Sequence, residues 1–405
     1  WRARLGARKA VPTEAYGRWR KALVPEEAAR EQETERRRQE QKATKKTAPA
    51  PARTQKGKGR EQRRARAAQT EALPGGGRVN DAYAFAGMHH VWDQHRAPVG
   101  RMLFANYDSS LLAFASQAGD LSVCRALPEP SLLHSIKAHK GAVHDLAFST
   151  TNDLLLSVGA DCKAKVWELE GGTLVREVLD AAQCTAGCFQ PFNNNTLFVG
   201  TAAGKLHIFN LSTGQSVRSV SLSGAVTALV AEPTGELLFA GDDQGFVYIY
   251  RFDVQQVKLR KLNKVLISKE DSITSIEYKG WSNSPEHSPD LLVACHNGRA
   301  MLFTIVPEYR LKLKRQFPMA NRELRVRATF CPLISLRDGA CIVTGGEDMR
   351  IQILDVLRDQ KPLVNELMGH SAAVLDVCWN YEESLLGSCD GAGTVILWKR
   401  VKEVG

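Results

Sequence analysis

Apolar residues alternate with polar ones in short runs along most of the chain, and a Gly- or Asp-bearing turn closes each run. Leu237 to Tyr250 shows the unit: an apolar run, the turn Gly241-Asp242-Asp243-Gln244-Gly245, then Phe246-Val247-Tyr248-Ile249-Tyr250. A period of two broken by glycine turns predicts β-hairpins. The residue ending the first run of each group recurs as Phe104, Phe148, Phe189, Ala231, Tyr278, Phe330 and Trp379, at intervals of 44, 41, 42, 47, 52 and 49 residues. Self-similarity at this spacing is the mark of a repeat architecture. Seven copies of four short strands predict an all-β fold, a seven-bladed β-propeller, whose radial closure leaves only short, protected sheet edges.

Counting strands predicts how the ring closes. A strand-like stretch, Tyr83 to Val91, precedes the first copy, and the seventh ends at Trp398 with little chain left for a fourth strand. Residues 83–91 are therefore expected to supply the outer strand of blade 7, covering an edge that would otherwise pair with other chains. The expected organisation is a basic arm over residues 1–82, the propeller over 83–401 and a short tail over 402–405.

Two copies are near duplicates. His139 to Trp167 and His370 to Trp398 each hold His and Trp 28 positions apart, with Ser157 or Ser388 ten residues before the Trp. The pattern resembles the WD-repeat family over roughly residues 83–401. That resemblance implies a buried His, Ser or Thr, Asp and Trp joined by hydrogen bonds that tie the turns of a blade together. Blade 2 carries all four, His139, Ser157, Asp161 and Trp167. Blade 7 has His370, Ser388 and Trp398 but Ala392 at the Asp position, so Asp390 has to serve or the set is incomplete. Blade 6 offers Thr344 and Asp348, with Leu354 in place of the Trp. The remaining blades are expected to rely on apolar packing. Longer strings, among them Tyr83-Ala84-Phe85-Ala86-Gly87-Met88 and Glu347-Asp348-Met349, resemble one member of the family more closely. They imply a non-enzymatic nuclear protein acting in transcriptional or chromatin regulation through protein partners.

Charge divides the chain unevenly. Residues 1–82 hold 22 Lys or Arg against 10 Asp or Glu, and the rest holds 32 against 34, within a formal net charge of +10. Arg36 to Arg66 contains 13 basic and two acidic residues. So little apolar surface cannot offset the entropy of ordering, and the arm is expected to be mostly disordered or partly helical. The clusters Arg36-Arg37-Arg38, Lys45-Lys46 and Arg63-Arg64 fit a nuclear import signal. The same cations can neutralise phosphates, giving non-specific nucleic-acid binding through residues 36–66. A merely solvated tail is the third reading. No aromatic residue stands between Trp19 and Tyr83, so base stacking is not supported.

Catalytic signatures are missing from the sequence. Gly200-Thr201-Ala202-Ala203-Gly204-Lys205 has one residue too few between its glycines for a phosphate loop, and Leu206 follows where a hydroxyl must reach magnesium. His139 and His370 occupy the blade's fixed His position and read as structural, and His89-His90 lie in a strand with side chains on opposite faces. The nine cysteines are scattered and expected to be reduced, and Cys184 and Cys188 lack partners at zinc spacing. No apolar run approaches the roughly 18 residues of a spanning helix. No enzyme activity, cofactor, metal, small-molecule substrate or membrane contact is expected.

Function is then expected on the surface. The entrances of the first strands place Arg101, His144, Thr185, Thr227, Thr274, Arg325, Arg327 and Leu375 around one face, with Arg322 close by, fitting an acidic partner or else ordinary solvated arginines. A loop inserted between Lys279 and Asp290 carries Trp281, a plug over blade 5 or an interface anchor. The expected function is a non-catalytic protein–protein interaction scaffold in the nucleus, with the cytoplasm as a second compartment. One alternative is an RNA-binding or ribonucleoprotein assembly factor using the basic arm. Another is a cullin ubiquitin-ligase substrate receptor, although the Trp-Asp-x-Arg box of such receptors is absent: Glu168 follows Trp167 and Lys399 follows Trp398.

Overall fold

A computed structural model describes residues 84–280, 289–331, 341–358 and 360–401. The basic clusters of the arm, Trp281 and the tail 402–405 lie outside the described residues. Within them the strands pair into seven antiparallel sheets of four. The innermost strands are Val99–Phe104, Val143–Phe148, Cys184–Gln190, Val226–Ala231, Ile273–Lys279, Ala328–Phe330 and Val374–Trp379. Each touches the next, and the seventh touches the first, so the sheets form a closed seven-bladed ring. Tertiary order follows sequence order except at one seam. There the strand Phe85–Trp92 pairs antiparallel with Val395–Arg400, setting Phe85 opposite Arg400 and Trp92 opposite Val395.

Alternation in the sequence becomes two buried faces per blade, because each sheet is sandwiched between neighbours. In Phe246–Asp253, Val247 and Ile249 pack toward blade 5 while Tyr248 and Tyr250 pack toward blade 3. Seven apolar clusters result, each made by two consecutive blades, including the pair formed by blades 7 and 1. Phe114, Phe198, Phe239 and Phe317 are wholly buried in them. Each such side chain stabilises the ring by about 1.5–3 kcal/mol. Since every cluster needs two blades, no blade is stable alone.

Six of the seven innermost strands carry a bulge near their start, between Val99 and Arg101, Val143 and Asp145, Cys184 and Ala186, Val226 and Ala228, Ile273 and Ser275, and Val374 and Asp376. A bulge breaks the ladder by one residue and re-aims the side chain it carries. His144, Thr185, Thr227, Thr274 and Leu375 are such residues.

Candidate interaction site

Two kinds of polar construction stand on this scaffold: sets that stitch single blades, and a charged cluster across the strand entrances. In blade 2 the Trp167 indole N–H donates to Ser157 Oγ at 2.9 Å, Ser157 Oγ lies 2.8 Å from His139 Nε2, and His139 Nδ1 lies 2.8 Å from Asp161 Oδ1. Burial drives the His139 pKa down despite Asp161. The ring is thus neutral, with Nδ1–H donating to Asp161 and Nε2 accepting from Ser157. Burial pushes Asp161 up, but the bonds from His139 and the Lys140 N–H outweigh it and hold the carboxylate below its usual range.

Blade 7 repeats the set with Asp390. His370 Nδ1 lies 2.8 Å from Asp390 Oδ2, Nε2 lies 2.6 Å from Ser388 Oγ, and the Trp398 indole donates to Ser388 Oγ at 2.8 Å. The exchange of carboxylate position has a steric reason. Asp390 sits opposite Val374 at the end of its strand, and the equivalent residue opposite Val143 is Gly159. A Cβ at Gly159 would come 2.6 Å from His139 Nδ1. Blade 2 therefore leaves that position bare and brings its carboxylate from the turn two residues later.

Blade 6 departs from the set: the Thr344 hydroxyl donates to the Gly345 carbonyl at 2.9 Å, and Asp348 accepts the Arg350 N–H at 3.3 Å. Blades 1 and 4 correct the expectation of purely apolar packing. In blade 1 His95 Nε2 lies 2.9 Å from Ser122 Oγ. In blade 4 the Tyr248 hydroxyl donates to Asp242 at 3.0 Å and accepts the Ser223 N–H at 2.9 Å, so tyrosine takes the place of histidine. The available signal was Asp242 itself, at the strand-end phase of Asp390.

Arginines converge across the strand entrances. Arg101 binds Asp145 of blade 2 at 2.7 Å and Asp376 of blade 7 at 2.9 Å. Burial disfavours the Arg101 charge, but Asp376 and Asp145 more than restore it, so its pKa is raised. Asp145 also accepts the Gly187 N–H at 3.2 Å, and Asp376 the Met102 N–H at 3.0 Å. From blade 6, Arg327 reaches the His144 carbonyl at 3.3 Å and stands 3.7 Å from Asp145, while Arg325 reaches the Thr227 carbonyl of blade 4 at 3.1 Å. These bonds cross the ring between blades that are not neighbours.

The exposed part of the cluster is smaller than the sequence suggests. Arg322 and Arg325 are exposed, Arg327 and His144 half-buried, and Leu375 is buried. Thr185 and Thr274 use their hydroxyls to bond the Val226 and Val326 carbonyls. By contrast His144 Nε2 and Thr227 Oγ1 are buried and have no hydrogen-bond partner among the described residues. Burial, then the nearby Arg325 cation, lowers the His144 pKa and keeps that ring neutral. Each orphaned atom belongs to a residue whose carbonyl receives one of the two blade 6 arginines.

Deeper in the ring, Glu277 of blade 5 accepts the Thr329 hydroxyl and the Phe330 N–H of blade 6. Burial pushes its pKa up to about 7, against those two bonds and the Lys279 and Arg101 charges. No group of His, Cys, Asp and Glu able to hold a metal exists among the described residues.

The profile described as WD domain, G-beta repeat matches residues 130–168 and 361–399, the segments that hold the two complete His–Ser–Asp–Trp sets. In these two segments the chain is similar to WD repeats. Among curated proteins, the chain is similar to WD repeat-containing protein 25 of Mus musculus, 22% identical over 75% of this chain and 56% of the relative. Pre-mRNA-processing factor 17 of Homo sapiens is 19% identical over 76% of this chain and 51% of its own length. Protein ROOT INITIATION DEFECTIVE 3 of Arabidopsis thaliana is 27% identical over 44% of this chain and 45% of its own. The chain spans about half the length of the relatives it matches. No helix among the described residues is long and apolar enough to cross a membrane.

Proposed function

We propose that this propeller is a non-catalytic nuclear scaffold whose strand-entrance face receives an acidic group of a protein partner. The observation carrying this reading is the pairing of Arg325 and Arg327 with the orphaned His144 Nε2 and Thr227 Oγ1. Arg325 has five N–H donors and uses one of them within the described residues, so a carboxylate there gains charge-assisted bonds that no internal group provides. The rigid ring holds these donors in place beforehand, which lowers the entropy lost on binding. A role in transcriptional or chromatin regulation is supported by the resemblance of the longer sequence strings to WD repeat-containing protein 13.

A ribonucleoprotein assembly role is the second reading. It is favoured by two relatives, Pre-mRNA-processing factor 17 and the U3 small nucleolar RNA-associated protein 15 homolog of Xenopus tropicalis, and by the cations of residues 36–66. Affinity purification from nuclear extract with the full chain, the Arg322→Glu/Arg325→Glu variant and a chain lacking residues 36–66 tests both. Partners lost with the arginine variant support the acidic-group reading. Loss of only nuclease-sensitive partners with the arm deletion overturns it in favour of the second.

A further inference from the structure

The opposite end of the innermost strands carries a different surface. The loops that leave these strands in blades 7, 1, 2, 3 and 4 span residues 380–384, 105–110, 149–153, 190–195 and 231–236, and they contain six acidic residues and no lysine or arginine. They are joined side to side. The Glu382 N–H donates to Ser109 Oγ at 3.1 Å, the Asn106 N–H to Asn152 Oδ1 at 3.0 Å, and the Asn194 amide to Thr151 Oγ1 at 2.8 Å. The result is a continuous arc from blade 7 to blade 3, fixed by hydrogen bonds between loops.

Three aromatic rings stand bare on this arc: Tyr107 is 70% exposed, Phe192 63% and Tyr381 49%. Tyr107 and Tyr381 meet edge to face with centroids 5.4 Å apart. Tyr107 also holds φ at 56°, a left-handed conformation that glycine would adopt without penalty. Beside the rings, Asp108, Asp153 and Glu382 have no cation within ion-pair distance among the described residues, whereas the acids Glu383 and Glu236 are matched by Arg400 and Arg251.

We infer that this arc is a second docking surface, which takes a lysine- and arginine-rich segment of another protein. Ammonium and guanidinium groups are drawn both to the faces of tyrosine rings and to carboxylates without an ion-pair partner, and here both stand on the same hydrogen-bonded loops, although Asp108 and Asp153 also accept bonds from nearby hydroxyls. A polyanion such as RNA would meet like charge at each carboxylate. The surface is distinct from the Arg325 cluster, so each is open to separate test.

The test is fluorescence anisotropy with the full chain and three labelled probes: a short peptide of lysine, arginine and tyrosine, its counterpart with glutamate replacing every cation, and a single-stranded RNA. The cationic peptide is expected to bind, more weakly as salt rises. Tyr107→Ser and Glu382→Lys should each weaken it about tenfold, the scale of one central contact, with the melting temperature unchanged. Arg325→Glu should leave this binding intact. Because both substituted side chains are exposed, the variants keep the fold. Equal binding by wild type and both variants overturns the inference, as does RNA binding that is lost in Tyr107→Ser.

Discussion

Replacing Asp145 by alanine removes the acceptor at the centre of the charged cluster. The variant loses the 2.7 Å bond to Arg101, the 3.7 Å approach of Arg327, and the acceptor of the Gly187 N–H. Arg101 keeps Asp376 but stands, largely buried, near the Arg327 guanidinium. Breaking a buried ion pair on one side costs about 3–5 kcal/mol, and an orphaned N–H adds about 1–3 kcal/mol when it finds no water. These contributions overlap, so a loss of about 3–5 kcal/mol is expected. Arg101→Met should cost at least as much, because it leaves the buried carboxylates of Asp145 and Asp376 without that cation. The double variant should recover more than about 1 kcal/mol relative to the sum of the single losses. Urea unfolding followed by fluorescence of the buried Trp92, Trp167, Trp379 and Trp398, with circular dichroism as the second probe, supplies the free energies if the transitions coincide. A loss under about 0.5 kcal/mol for Asp145→Ala, the size of a surface change, would refute the reasoning.

Three further outcomes are expected. Ser157→Ala strands the Trp167 indole and His139 Nε2, so it should cost about 1–3 kcal/mol, while Thr344→Val in blade 6 should cost less; equal losses in urea would show that blade 2 holds no working network. Glu277, raised from the ordinary 4.5 to about 7, binds its proton more tightly when folded, so its contribution is fully present below pH 4.5 and lost as pH rises through 7. Glu277→Gln should flatten that slope, and an unchanged pH profile of unfolding would count against the burial. Deleting residues 1–92 bares the edge of Val395–Arg400 and should cause self-association in light scattering; a stable monomer would mean that the edge is protected by other means.

The ring was legible because its signal is local and repeated. All seven phase residues, from Phe104 to Trp379, lie at or one position before the end of an innermost strand, since alternation and turn glycines are read within a few residues. What sequence spacing could not supply was the content of the ring's centre. Arg101, Arg325 and Arg327 have partners 44 to 275 residues away, set by closure of the whole circle. Leu375 was assigned to the right strand start, but the register alone does not tell a buried side chain from an exposed one. The Asp242–Tyr248 pair escaped because tyrosine replaces the histidine by which such a set is recognised.

The seam between Phe85–Trp92 and Val395–Arg400 has a temporal consequence. On the ribosome the outer strand of blade 7 emerges before any other described strand, and its partner is the last of the described strands to emerge. At about 5–20 residues per second, tens of seconds separate the two. Through that interval blade 1 has no seventh neighbour to cover its apolar flank, so a nascent chain of this kind should lean on chaperones until Val395–Arg400 has emerged.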